Sequence, residues 1–160
     1  MSRIRGRGNK ETEGVLAKLL REHRIKGWRR HQPVFGKPDF IFPKSRLAVF
    51  VDGCFWHGCP KHGTKPKSNR AYWWRKLARN KKRDQMVGRT LRNAGWRVIR
   101  IWECSLQQRP TNCLRRIRQA IAAEVTRRRT EARRLRASTG TEWAAAKARF
   151  ERELLGAPPA

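Results

Sequence analysis

Two short apolar runs on either side of a turn restrict the fold of this chain more than any other segment: Asp39-Phe40-Ile41-Phe42, then Arg46-Leu47-Ala48-Val49-Phe50-Val51-Asp52, around Pro43-Lys44-Ser45. The pattern predicts a β-hairpin or meander. Downstream, Trp74, Leu77, Val87, Leu91 and Ala94 lie near helical spacing over 70–94, and Gly95 supplies a C-terminal stop. Residues 96–102, Trp-Arg-Val-Ile-Arg-Ile-Trp, are again rich in β-branched and aromatic side chains. A long helix crossing between two strands predicts an α/β unit whose third strand joins the same sheet.

The hairpin also carries an anomaly of charge. The chain has only three aspartates against 40 Lys and Arg, and two of them, Asp39 and Asp52, flank the strands. A net charge of +28 repels itself in a compact state unless a polyanion relieves it, which points to nucleic acid and away from a small neutral substrate. The cations are spread through a chain with strand patterns and seven Trp, unlike a short amphipathic membrane anchor. No run approaches the length of a membrane span and no signal peptide is legible, so a cytoplasmic, nucleoid-associated protein is expected. Four cysteines then read as metal ligands or buried thiols rather than disulfides.

Three parts are expected: a flexible basic arm over 1–10, a catalytic domain over 11–124 and a basic helical extension over 125–160. Thr12 is placed to cap a helix with Val15, Leu16, Leu19 and Leu20 on one face, and Glu13 in its first turn suits the helix dipole. Leu114, Ile117, Ile121 and Val125 mark a further amphipathic helix. A break at Ser138-Thr139-Gly140 predicts a separate last helix from Thr141 to Leu155, with Trp143, Ala146, Phe150 and Leu154 on one side.

Three constellations carry chemistry. Asp39 and Asp52 at strand ends suit a hard divalent cation such as Mg²⁺, which phosphodiester hydrolysis uses to polarise phosphoryl oxygens; the bland alternatives are a turn aspartate after Pro38 and an Asp52–Arg ion pair. Cys54-x4-Cys59-x2-His62 falls in an aperiodic segment, 53–70, that is long for a compact domain and needs a staple. Structural zinc would supply one, with Cys104 as fourth ligand if the third strand lies beside the second, and His57 and Cys113 as competitors. Phe55 and Trp56, amid Lys65, Lys67, Arg70 and Lys76, suit insertion between base steps, whereas Trp74, Trp96 and Trp102 fit core faces and Trp73 stands between the two readings. His57 reads equally as a general base, a phosphate contact or a zinc ligand.

At these residues the chain resembles the very short patch repair (Vsr) DNA mismatch endonucleases. The resemblance runs from Gly36-Lys37-Pro38-Asp39-Phe40 through Phe50 to His57, Tyr72-Trp73 and residues 76–80, to Gly95-Trp96-Arg97-Val98 and Trp102-Glu103-Cys104, within roughly residues 8–122. It implies a restriction-endonuclease-like (PD-(D/E)XK-type) α/β core, a mixed sheet flanked by helices, and Mg²⁺-dependent nicking of double-stranded DNA 5′ to the thymine of a T:G mismatch. It also implies roles by position. Asp39 is the metal-binding catalytic aspartate, Val51 offers a backbone carbonyl to the metal, His57 is the catalytic histidine and Glu13 supports the site. Phe55, Trp56 and Trp73 form the intercalating wedge, and Cys54, Cys59, His62 and Cys104 bind structural zinc.

The chain departs from the best-known family pattern in having Asp52 where a histidine stands, and Cys59-x2-His62 where His-x-Cys stands. The wider superfamily's catalytic lysine is replaced by Cys54. A monomer, with mismatch-repair accessory proteins as partners, is the expectation. The rival readings are a nuclease of the same fold without mismatch preference, and a non-enzymatic zinc-containing nucleic-acid-binding protein in which Asp39 and Asp52 would be idle.

Overall fold

The computed structural model describes residues 10–62 and 69–154, and the chain divides into two compact units, 1–122 and 123–160. The first unit is a mixed α/β body. Its sheet has four strands in the order β1 (Arg29–Arg30), β2 (Phe40–Phe42), β3 (Leu47–Asp52), β4 (Arg97–Trp102). β2 pairs antiparallel with both β1 and β3, while β4 runs parallel to β3 in register from Leu47↔Arg97 to Asp52↔Trp102. Parallel neighbours need a crossover, and the segment from Gly53 through helix α2 (Arg70–Asn93) supplies it. The hairpin and the third strand therefore fall where the sequence pattern puts them, while β1 has no clear signal of its own.

All six residues of β3 are buried, because both faces of the strand are covered. On one face Leu47, Val49 and Val51 join Phe40, Phe42 and Ile101 beneath three helices: α1 (Val15–Glu22), the short α3 (Glu103–Gln108) and the start of α4 (Pro110–Leu154). On the other face Ala48 and Phe50 meet Val87 and Leu91 of α2. Side chains alternate along a strand, so Asp52 belongs to the α2 face, at its end.

The C-terminus of α2 is a Schellman turn: Gly95 sits at φ 79°, its N–H bonds Arg92 O, and the Trp96 N–H bonds Leu91 O. Only Val87, Gly88 and Leu91 of the helix are buried. A helix of this length spans about 36 Å, well beyond the six-residue strand beneath it, and Trp74 is consequently 74% exposed rather than a core residue. Gly36, at φ 74°, admits the close approach of the preceding loop to α2, since a Cβ there would lie 2.2 Å from Val87 Cγ1.

Two local expectations are corrected. Thr12 does not cap a helix: Lys10–Gly14 forms a π-helical turn leading into α1, and burial of Thr12 and Glu13 overrides the capping signal. Of the basic arm read over 1–10, only Lys10 falls among the described residues, where it opens that turn.

In the second unit the described chain is one helix, the continuation of α4 to Leu154, and no break occurs at Ser138-Thr139-Gly140. A lone glycine costs a helix about 1 kcal/mol, too little to stop one flanked by Ala, Arg and Glu. Thr141 does not cap a new helix; its hydroxyl donates back to Ala137 O at 3.0 Å. Arg127 and Arg128 both hold Glu124, whose carboxyl their hydrogen bonds bring down to about 2. Residues 123–160 carry nine Lys and Arg against five Glu, so only +4 of the total +28 resides there. The side chains of Ala146, Phe150 and Leu154 lie outside the described residues, and Trp143 is exposed. Among the described residues no helix is long and apolar enough to cross a membrane.

Candidate active site and metal centre

Because β2 and β3 are antiparallel, the start of one and the end of the other share an edge of the sheet. There the Val51 N–H donates to Asp39 Oδ2 at 2.7 Å. Burial pushes the Asp39 carboxyl up from the usual 3.8 to about 6; the Val51 N–H opposes the rise, the Glu13 and Asp52 carboxylates add to it and Arg100 counters it. Glu13 reaches this neighbourhood from the π turn, buried, with Arg30 Nη2 at 2.5 Å and His31 Nε2 at 3.6 Å. It is thus more than a helix-dipole residue. No Lys or Arg among the described residues forms an ion pair with Asp39. A half-buried carboxylate raised first by desolvation and further by like charges, with no guanidinium paired to it, suits a hard divalent cation, which would relieve that repulsion.

Asp52 has a different environment. It is 3% exposed, and Arg100 on β4 donates Nε to its Oδ2 and Nη2 to its Oδ1, each at 2.6 Å. The same Nη2 lies 3.2 Å from Asp84 Oδ1 on α2, and Asp84 Oδ2 accepts His57 Nδ1–H at 2.5 Å. His57 Nδ1 is also 3.8 Å from Asp52 Oδ1. Burial works to raise Asp84, but the His57 hydrogen bond and the charges of Arg100, His57 and Arg83 outweigh it and hold the carboxyl below its usual value. Burial likewise opposes the Arg100 charge, and Asp52 and Asp84 hold it firmly on. In its neutral form, with Nδ1–H given to Asp84, the imidazole offers Nε2 as an acceptor.

Asp84 and Arg100 were not singled out from the sequence, although both leave a trace in it. Asp84 is the one acid of α2 and falls on the helix face of Val87 and Leu91. Arg100 occupies an inward position of β4, between Val98 and Trp102.

The segment after β3 brings the thiols together. The Cys54 N–H donates to Glu103 Oε2 and the Cys59 N–H to Cys54 O, folding the chain back on itself. The parallel pairing of β3 and β4 delivers Cys104, in the first turn of α3, to the same place. The ligand atoms of Cys54, Cys59, His62 and Cys104 all lie within 4.8 Å of one another. Two sulfurs at zinc-ligand distance from a tetrahedral centre stand about 3.8 Å apart, and Cys59 Sγ and Cys104 Sγ are separated by 3.7 Å.

Crowding of these groups moves two of the thiols in opposite directions. Burial and the neighbouring thiols push Cys54 up to about 12. Burial also opposes ionisation of Cys59, but the Lys61 and His62 N–H groups, the His62 side chain and the Cys104 thiol bring it down to about 6. Both competitors for the fourth position drop out: His57 is turned to Asp84, and Cys113 is packed in the core with Leu114 and Ile117, where burial raises its thiol.

Phe55, Trp56 and Trp73 also meet. Ring centroids are 5.0 Å apart for Phe55–Trp56, 5.1 Å for Phe55–Trp73 and 5.8 Å for Trp56–Trp73. Lys76 Nζ stands over both Trp56 and Trp73, and Asn80 Nδ2 donates to Trp56 O at 3.0 Å. Lys65 and Lys67 lie outside the described residues.

Residues 1–62 match the family described as "DNA mismatch endonuclease Vsr". The type II nicking enzyme V.NaeI of Lentzea aerocolonigenes is 57% identical over 67 residues, which is 42% of this chain and 40% of that protein. The type II nicking enzyme V.NmeDIP of Neisseria meningitidis serogroup C is 40% identical over 111 residues, 68% of this chain and 75% of the relative. The DNA mismatch endonuclease Vsr of Escherichia coli K12 is 37% identical over 75 residues, 46% and 48% of the two chains. By these matches the chain belongs to the Vsr family and is a DNA endonuclease, acting on phosphodiester bonds.

Proposed function

We propose that this protein nicks duplex DNA 5′ to the thymine of a T:G mismatch by Mg²⁺-dependent hydrolysis, within a restriction-endonuclease-like core stapled by zinc. The observation that carries the reading is the adjacency of Phe55, Trp56 and His57. The two aromatics pack with Trp73 beneath a lysine, and the next residue is a histidine oriented by a carboxylate. Apolar rings inserted at a mispaired step meet the least stacking resistance, and cations around them hold the phosphates. Recognition and chemistry would then arrive on one segment.

Asp39 and the Val51 carbonyl are the groups suited to hold Mg²⁺. When bound, such an ion supplies polarisation of a phosphoryl oxygen and a lowered water pKa. His57, its Nδ1–H committed to Asp84, accepts a proton from water at Nε2 or clamps the phosphate. Asp84 is the positioning residue of that pair, and Glu13 holds Arg30 and His31 beside the pocket. Cys54, Cys59, His62 and Cys104 would bind zinc as four protein ligands with no open position, a structural role. The arm over 1–10 and the extension over 125–160 would add phosphate contacts to the domain over 11–124. The protein would work as a monomer on chromosomal DNA, alongside mismatch-repair accessory proteins.

A second reading, nicking at a recognition sequence without need of a mismatch, is favoured by the names of V.NaeI and V.NmeDIP as type II nicking enzymes. Duplexes identical except for a T:G, G:C or T:A pair, incubated with Mg²⁺, separate the two. Nicking confined to T:G is expected; equal cutting of all three would give the second reading. Absence of any nicking would leave a binding protein.

A further inference from the structure

Asp52, Arg100, Asp84 and His57 come from four different elements and form one chain of contacts, and Arg100 is its only cation that does not depend on pH. Its fork is spent on Asp52 at 2.6 Å twice, and the shared Nη2 continues to Asp84 at 3.2 Å. Asp84 in turn holds His57 at 2.5 Å. The third nitrogen, Nη1, is buried without a hydrogen-bond partner, and the guanidinium carbon lies 4.9 Å from the Phe50 ring centre. A buried Nη1 cannot reach a DNA phosphate. The guanidinium instead faces inward, where the strand alternation would call for an apolar residue.

We propose that Arg100 is a positioning residue: it commits the buried Asp52 as an internal counter-ion rather than a metal ligand, and through Asp84 it fixes the ring of His57. A guanidinium is not deprotonated in a protein, so its charge persists at every working pH, and here the carboxylates of Asp52 and Asp84 meet it. If Asp52 left Arg100 for a cation, a guanidinium already short of one partner would lose its two shortest hydrogen bonds in a buried place. Asp39, which no guanidinium holds among the described residues, has no such tie. The division of labour follows: Asp39 faces the cation, Asp52 faces Arg100, and the arginine, anchored by Asp52 at the end of β3, holds the Asp84 carboxylate that grips His57.

The role of His57 in this inference rests on the endonuclease reading, so two of the three measurements do not use activity. Mn²⁺ binding to the zinc-loaded full chain, followed by electron paramagnetic resonance, should be unchanged in Asp52→Asn and lost in Asp39→Asn. The ¹⁵N shifts of the His57 ring should show the Nδ1–H tautomer in the wild type and a loss of that preference in Arg100→Met. The single-turnover nicking rate should fall about a hundredfold in Arg100→Met, the loss expected for a displaced general base, with DNA affinity retained. Arg100→Lys, which keeps the charge without the fork, guards against a misfolded methionine variant and should show a smaller loss of both rate and tautomer preference. Loss of Mn²⁺ binding in Asp52→Asn comparable with that in Asp39→Asn would overturn the counter-ion assignment. Wild-type rate and tautomer in both Arg100 variants would overturn the positioning role. A wild type that does not nick at all would refute the proposed function while the metal and tautomer measurements still decided this inference.

Discussion

Replacing Asp39 by Asn should make the cation-free protein more stable, by an amount that grows with pH. The Asp39 carboxyl is raised from 3.8 to about 6, first by burial. Folding therefore favours its protonated form, and the contribution to stability is greatest below the unfolded value and is lost as pH rises from near 4 through 6. A shift of about 2 units corresponds to roughly 3 kcal/mol at pH 8, and to about 1 kcal/mol at pH 4.5, where both states are still partly protonated. Asparagine does not ionise, and its Oδ1 can still accept the Val51 N–H. The variant should thus unfold about 6–12 °C above the wild type at pH 8, with a much smaller margin at pH 4.5. Thermal unfolding followed by tryptophan fluorescence, on both proteins loaded with equal zinc and without Mg²⁺, reads the difference, and the shared thiol cluster cancels in it. Adding Mg²⁺ should then stabilise the wild type alone. An Asn variant no more stable at pH 8, or more stable by an equal margin at both pH values, would refute the argument that Asp39 is desolvated beside other carboxylates at a place suited to a cation.

Zinc content should fall in Cys54→Ser and in Cys104→Ser, and full stoichiometry in both would remove the thiol cluster as a zinc site. Trp73→Ala should abolish the preference for T:G over G:C duplex while leaving binding to matched DNA nearly intact; retained discrimination in a nicking assay would take Trp73 out of the wedge. Asp84→Asn should lower the nicking rate by about a hundredfold with little change in DNA affinity, and an equal change in both would make Asp84 structural only. Converting Arg133, Arg134 and Arg136 to Gln should lower the slope of log affinity against log salt by up to about 0.9 for each arginine that meets a phosphate, and an unchanged slope would place the second unit away from DNA.

The parts of the site that were legible from the residues are those that follow from β-hairpin geometry. A three-residue turn between two apolar runs brings Asp39 and Val51 together, and parallel addition of the next strand carries Cys104 to Cys54 and Cys59. Asp84 and Arg100 were less visible because their meaning is purely tertiary. One is an acid in a helix with nine cations, the other an arginine in a chain full of them, and only the packing of α2 on β4 shows that they meet each other. Trp74 was misread because helical spacing gives a face but not how far along the helix the sheet extends. The supposed break at Ser138–Gly140 shows the reverse: three residues with weak helix preference are carried by their neighbours when the helix is long.

Phe55, Trp56 and His57 lie between Cys54 and Cys59, so a cation joining those two sulfurs closes a small ring whose contents are the stacking surface and the histidine. On the proposed function, opening that ring would loosen two of the three recognition rings and the histidine in the same event, while the other cations of a +28 chain went on attracting duplex DNA. Recognition and cutting would then be lost together, so that the failure of the clasp would be silent rather than mutagenic.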